Sequence, residues 1–219
     1  MATKIRPIVF KINEPAPTPD YNPLGLPAMT FRFQLADGQS WAGAATATPV
    51  SEGVVDVTFT QDNITQYYRA CIAKVLGANA SGFTSLSGMF SSATNLTEVA
   101  LFDTSNCTDL STMFAGSGLI EELPDFPTNS CANFEHFAAS MTNLKKVPNL
   151  DVSAATNVKF MFASSYNVES GALAMYNKLS ALGSQITNHD NTFAECGRDT
   201  VTGAAELAQI PSSWGGTGT

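Results

Sequence analysis

Hydrophobic positions recur with a 24-residue period through the middle of the chain, in four successive copies. Six apolar columns begin at Leu86, Met89, Phe90, Leu96, Val99 and Phe102. Each column continues at the equivalent position of the next three copies. In the fourth copy, the columns that begin at Val99 and Phe102 hold the small residues Gly171 and Ala174. Fixed periods of about 20–29 residues are typical of solenoids, in which each coil buries its apolar face against the next. The spacing therefore predicts a stack of 24-residue coils.

Each copy contains two unlike pieces. The first, as in residues 84–90, places apolar residues at the spacing of one helical turn, and the second, as in residues 96–102, is a short extended stretch. A distorted fifth copy follows, and terminal repeats are expected to be atypical because they cover the core. We expect Trp214 to cap this end of the stack, with a binding role as the alternative.

The N-terminal part of the chain, as far as Gly77, has a different pattern. β-rich runs at 8–12, 30–35 and 54–59 predict a small β-rich N-terminal unit over residues 1–61, which we interpret as an attachment module. Residues 62–77 carry apolar residues at helical spacing after Asp62 or Asn63 and end at Gly77, which predicts a capping helix. The predicted fold class is an α+β repeat, a short leucine-rich-repeat-like solenoid of about five 24-residue coils over residues 78–219, preceded by that unit and helix.

The repeated boxes resemble a known family. Met-Phe boxes followed by Leu-x-x-Val/Leu, with links such as Asp103-Thr104-Ser105-Asn106, are similar to the BspA-like leucine-rich repeats of bacterial surface proteins and of phage particles. The resemblance covers about residues 83–214, and the third copy departs from it with His136-Phe137-Ala138. It implies a non-catalytic repeat protein used for adhesion and protein recognition.

The distribution of charge argues against nucleic acid as a partner. The net charge is -8, and no Lys or Arg occurs from Val75 to Leu144. Nucleic-acid binding needs cations that displace counterions from phosphates, so this stretch argues against it. No apolar run approaches the roughly 18 residues of a membrane span.

The search for chemistry finds no catalytic, metal-binding or cofactor motif, so we expect no enzyme activity and no cofactor. His136 is expected at the edge of the core, and a site near His189 in the insertion of the last copy is the alternative. Cys107 and Cys131 share one column and lie within expected disulfide reach. Either they are reduced, buried side chains or they form a disulfide.

Charged side chains recur between the apolar columns of the extended pieces. We predict that six of them form a strip along the stack: Glu98, Glu121, Glu122, Lys145, Lys146 and Glu169. A ladder of ion pairs that holds the register is one interpretation. The other is a recognition strip, since stacked repeats bind through such faces.

Together these observations predict a non-enzymatic display or adhesion protein, in particular a phage virion component such as a fibre, decoration or receptor-binding protein. The alternative is a bacterial cell-surface or secreted adhesin. The first residues lack the apolar stretch of a secretory signal, which favours the virion. We expect a protein or surface-glycan receptor and contacts with other virion or surface-assembly proteins through the N-terminal unit. The assembled state is either a single chain or a homo-oligomer.

Overall fold

Five strands form one mixed sheet in the computed structural model, which describes residues 19–67 and 69–219. The strands are β1 (Thr30–Leu35), β2 (Thr46–Ser51), β3 (Val54–Thr58), β4 (Ile72–Asn79) and β5 (Glu98–Val99), in the spatial order β2-β3-β1-β4-β5. All neighbours are antiparallel except β4 and β5, which are parallel. The predicted β-rich run at residues 8–12 lies outside the described residues.

Two α-helices follow the sheet, α1 (Ala172–Ser180) and α2 (Val201–Leu207). Short 3-10 turns lie at Arg69–Cys71, Gly183–Gln185 and Ser212–Trp214. None of the helices in the described part of the chain is long and apolar enough to cross a membrane.

The prediction of an α+β, leucine-rich-repeat-like solenoid is wrong. The regular structure of the described residues is the single five-stranded sheet with two helices, and between residues 84 and 170 the only regular element is the two-residue strand β5. One feature of the backbone and one of the sequence explain the difference. Each Met-Phe box contains left-handed residues, which an α-helix does not accommodate, and Pro124 and Pro148 limit pairing of the extended pieces.

The predicted capping helix at residues 62–77 is also wrong, because β4 occupies most of its second half. The pairing of β1 with β4 shifts register twice, which leaves Ala73 and Leu76 as extra residues. The inward-facing residues Ile72, Val75 and Ala78 are consequently three apart, as on one face of a helix. Tyr68, part of the same pattern, lies outside the described residues. The division of the chain at residues 61 and 77 stays a prediction, although one sheet contains strands from both sides of it.

Hydrogen bonds join five turns, which we call the stacked turns (residues 84–93, 108–117, 132–141, 156–165 and 187–196); the first four are 24 residues apart, and the fifth follows after 31. Four N–H groups in each of the first four turns donate to carbonyls of the next, as in Leu86 N to Asp109 O at 3.0 Å and Phe90 N to Met113 O at 2.8 Å. These four peptide groups of each turn point in the same direction, whereas N–H groups at the start of each later turn donate back, as Thr108 N does to Thr84 O at 2.8 Å.

Side chains from residues 61–69 cover the carbonyl end of these aligned dipoles. The Gln61 side chain donates to Ser85 O at 2.8 Å and accepts from the N–H of Thr84 and Ser85. Tyr67 Oη donates to Met89 O at 2.6 Å, and the Arg69 guanidinium donates to the same carbonyl at 3.1 Å. A cation at the negative end of aligned dipoles is favourable, as it is at a helix C-terminus.

One aromatic core joins the sheet to the stacked turns. Phe31 of β1 is fully buried, and its ring centroid lies 6.0 Å from that of Phe90 and 5.3 Å from that of Phe102. The series continues through Phe114, whose ring stacks on Phe90 at 5.5 Å, to Phe193 in the last turn. The two regions therefore share a single hydrophobic cluster.

Candidate recognition surfaces

The six residues of the predicted strip, which we call the charged strip, lie on neighbouring extended pieces. Five of the six side chains are exposed, and Lys145 is half-buried. The backbones are in contact where the spacing predicts it, since Lys145 N donates to Glu121 O at 2.9 Å and Glu169 N donates to Lys145 O at 2.7 Å. The structure therefore aligns this part of the strip along one direction.

The side chains of the charged strip are not paired with one another. Glu98 forms an ion pair with Lys74 of β4, with 2.7 Å between Nζ and Oε2. Among the described residues, no ion pair within 4.0 Å joins Glu121 or Glu122 to Lys145 or Lys146. Their carboxylates and ammonium groups are consequently available to solvent or to a partner.

A groove of about 390 Å³ interrupts the strip between β5 and residues 121–124. Within this described stretch, no backbone hydrogen bond links β5 to residues 121–123, although the stacked turns on the opposite side remain bonded. Glu98 and Glu122 occupy equivalent positions there, and like charges opposite each other destabilise strand pairing. Pro124, which cannot donate to a ladder, follows directly.

The stacked turns present a second face, mostly half-buried, which sequence reasoning missed. Each turn has two left-handed positions, and the first is occupied by Gly88, Thr112, His136, Phe160 and Asn191. Gly and Asn adopt this conformation readily, whereas other residues are disfavoured by about 1–2 kcal/mol. The first four positions of this column were visible in the sequence at the 24-residue spacing, and Asn191 follows Phe160 after 31 residues. The left-handed backbone conformation of the column was not visible in the sequence.

Amide and carboxylate side chains border this face and bond to each other. Asn133 Nδ2 donates to Asp109 Oδ1 at 3.0 Å, and Asn157 Nδ2 donates to Asn133 Oδ1 at 3.1 Å. The same residues accept from the backbone two positions later, as in Ser111 N to Asp109 Oδ1 at 2.9 Å. The side chain at the start of these turns therefore forms hydrogen bonds both with the backbone of its own turn and with a side chain of an adjacent turn.

The four cysteines are buried and free. Cys107 Sγ contacts Phe83 O at 3.7 Å, whereas Cys131 Sγ contacts Asn133 O at 3.3 Å. Burial raises the pKa of both thiols to about 12. Of the two alternatives for Cys107 and Cys131, the structure contains the reduced, buried one.

The two histidines lie on the surface. His136 stacks on Phe160, with ring centroids 4.8 Å apart, and its Nδ1 lies 3.8 Å from Glu135 Oε1. His189 stacks on Trp214 at 4.2 Å and 7° between ring planes. Trp214 O also accepts from Phe193 N at 2.9 Å, which places Trp214 against the last stacked turn.

The fold and these surfaces define a protein of stacked turns attached to a mixed sheet. A family model described as "Mycoplasma protein of unknown function, DUF285" matches residues 84–198, the stretch that contains the stacked turns. The chain belongs to this family. No curated protein and no solved structure matches it.

The resemblance to BspA-like leucine-rich repeats is therefore corrected. The family whose model matches is DUF285 and not a leucine-rich repeat family. The boxes that suggested the resemblance form turns with left-handed residues. Leucine-rich repeats instead combine a strand with a helix or 3-10 segment in each coil.

Proposed function

We propose that this protein is a non-enzymatic recognition protein of the display or adhesion type, and that the charged strip contacts its partner. The observation that carries this proposal is the lack of pairing between Glu121, Glu122, Lys145 and Lys146, all within the described residues, across adjacent backbones. A ladder that held the register would pair these charges. Unpaired charges of both signs on an ordered backbone instead provide electrostatic specificity for a partner surface.

Cell binding of the purified, fluorescently labelled chain tests this proposal, with flow cytometry as the readout. Replacing Lys145→Gln and Lys146→Gln removes two positive charges from the strip. Thr202→Glu with Ala205→Glu, both exposed on α2, changes the net charge equally elsewhere. We expect the strip variant to lose at least ten-fold in apparent affinity while the α2 variant binds normally. Equal binding by all three proteins would show that the strip is not the contact surface.

The N-terminal unit is proposed to attach the protein to a larger assembly. Edge strand β2 supports this role, because all of its residues except Ala47 are exposed. Pro49 removes one donor from this strand, which is typical of edge strands. Cross-linking mass spectrometry on the intact assembly should recover links from β2, and links confined to the stacked turns would contradict the assignment.

A virion is the proposed location, with a bacterial surface as the alternative. Quantitative mass spectrometry of density-purified particles and of washed cell envelopes distinguishes them. Enrichment in particles supports the virion, and absence from particles with recovery in envelopes supports the adhesin. Light scattering of the same purified protein distinguishes a single chain from a homo-oligomer.

A further inference from the structure

One hydrogen bond is missing from the backbone ladder that joins the extended pieces. Groups 24 residues apart are bonded at three places: Thr97 N to Ala73 O at 2.9 Å, Lys145 N to Glu121 O at 2.9 Å and Glu169 N to Lys145 O at 2.7 Å. The equivalent bond from Glu121 N to Thr97 O is absent, and Glu121 N has no backbone acceptor among the described residues. The groove of about 390 Å³ lies at this break in the ladder.

The groove continues across the extended pieces to α1 as one depression, which we call the long groove. Three further cavities of about 260, 300 and 460 Å³ follow the first. Each shares lining residues with the one before it: Glu122 and Leu123, then Asp125, Lys146 and Pro148, and finally Asn149 and Lys178. Paired strands are spaced by about 4.8 Å, so the three pieces that the long groove crosses span at least ~10 Å.

The long groove combines an apolar lining with charges of both signs. Leu123 and Val147, which are 7% and 2% exposed, contribute apolar side chains to its walls. The exposed carboxylates of Glu121 and Glu122 lie at the end near β5, and the exposed ammonium group of Lys146 lies one extended piece farther along. Charge is therefore segregated along the length of the groove.

Only some of these charges are available to a partner, because the others are bonded within the protein. The bonded ones are Glu98 to Lys74 Nζ at 2.7 Å, Asp125 to Asn149 N at 2.6 Å, Lys178 to Leu150 O at 3.0 Å and Asp151 to Ser153 N at 2.9 Å. Within the described part of the chain, Glu121, Glu122 and Lys146 have no ion pair. Two adjacent negative charges and one positive charge are thus left without a partner.

We propose that the long groove binds an extended segment of a partner protein that carries two basic residues and, close by, an acidic one. The basic side chains contact Glu121 and Glu122, and the acidic side chain contacts Lys146. Such complementary charges fix the register of a bound segment and exclude segments of the wrong charge. An extended chain rises about 3.3 Å per residue, so the acidic residue lies about one to three positions from the basic pair.

This inference rests on the proposed recognition function and names the chemistry of the partner. Random dodecapeptides displayed on phage are selected on the immobilised full chain, and the enriched sequences are resynthesised with a fluorescent label. Their affinity is measured by fluorescence anisotropy at low and high salt. We expect the enriched peptides to contain the basic pair with the nearby acidic residue, and to bind more weakly at high salt because the charges are exposed.

The groove variant, Glu121→Gln with Glu122→Gln, removes two negative charges and keeps the size of the side chains. The control variant, Asp37→Asn with Glu52→Gln, changes the net charge equally at exposed sites in turns of the sheet. We expect the groove variant to lose at least ten-fold in peptide affinity and the control variant to bind like the parent protein. Lys146→Glu should bind the selected peptide more weakly, and a peptide with Lys in place of its acidic residue should restore that binding.

Three results would overturn the proposal: the selected peptides are not enriched in basic residues, the groove variant binds them normally, or the control variant loses as much affinity as the groove variant. If Lys145→Gln with Lys146→Gln loses cell binding although no basic peptide is selected, the partner has another chemistry and the recognition function stands. If the same variant binds cells normally while the peptide results hold, the charged strip is not the contact with cells, and the long groove remains a peptide-binding site.

Discussion

The sheet and the stacked turns obtain their order in different ways. In the sheet, strands far apart in sequence pair in antiparallel registers, as β1 does with β4. In the stacked turns, four N–H groups of each of the first four turns bond to the residue just before their equivalent in the next turn, as Leu86 N does with Asp109 O. Strand pairing in the sheet produces no regular spacing of residues in the sequence. The stacking of the turns produces a repeat at a fixed spacing.

This difference also separates the conformational demands of the two regions. The sheet needs β-rich segments with bulges, which common residue types provide. The stacked turns need left-handed backbone twice in each turn. Of the nine such positions that are not glycine in the chain as described, eight belong to these turns. Left-handed backbone is consequently concentrated in the stacked turns.

The largest effect is expected from Phe31→Ala, which removes the ring that joins the two regions. Deleting a buried Phe side chain costs about 3–5 kcal/mol. We expect one cooperative urea transition, displaced to lower urea, when Trp41 near the sheet and Trp214 at the far end are followed separately in single-Trp variants. Leu119→Ala, 45% exposed, is the control and should change little. Loss of the Trp41 transition alone would mean that the sheet and the stacked turns unfold independently.

Arg69→Met tests the cap at the carbonyl end of the stacked turns. The guanidinium hydrogen bonds to Gly88 and Met89 carbonyls are charge-assisted, so their loss should cost about 1.5–3 kcal/mol. Amide hydrogen exchange should accelerate most in the first turn, because this turn loses its cover. Arg198→Met, at an exposed site near the other end, is the comparison. Equal destabilisation by both variants would contradict a special role for Arg69.

Ser117→Ala tests the hydroxyl groups that link adjacent turns. Ser117 Oγ donates to Phe90 O at 2.5 Å and accepts from Ala93 N at 3.2 Å, entirely within the core. Ala93 N also donates to Phe90 O at 3.2 Å, so the variant loses two hydrogen bonds without leaving either group unpaired, and it should cost about 0.5–1.5 kcal/mol in denaturant unfolding. Ser165→Ala should act similarly, since Ser165 bonds Ala138 and Met141 in the same way. Ser180→Ala, at an exposed site, should leave the free energy of unfolding unchanged. If Ser117→Ala also left it unchanged, the hydroxyl groups between adjacent turns would not contribute to stability.

The smallest effect is expected from thiol reagents on the native protein. The thiolate is the reactive form, and burial raises the pKa of Cys107, Cys131 and Cys196 to about 12, so all three stay protonated at pH 8. Iodoacetamide followed by intact-mass measurement should add nothing to these residues in the native state and should label them in urea. Rapid native labelling of Cys107 or Cys131 would indicate that the stacked turns open locally.

Several features could be predicted from the sequence because they depend on residues at a fixed spacing. Leu86, Met89 and Phe90 and their equivalents in the next three copies are all buried. The alignment of Glu121, Lys145 and Glu169 follows from the same period. The column that contains His136 and Phe160 could be found by spacing, but its left-handed backbone could not.

The sequence by itself determined which residues face the core and which positions of successive copies meet, because a period brings equivalent residues into contact whatever their local conformation. Only the tertiary structure decided what those contacts look like. Pairing with β1 made residues 72–79 a bulged strand instead of a helix. Left-handed residues gave the Met-Phe boxes a turn conformation. The charges of residues 121–122 and 145–146 stayed unpaired although their backbones are hydrogen-bonded. These outcomes depend on hydrogen bonds between distant segments, and local propensity and spacing do not specify them.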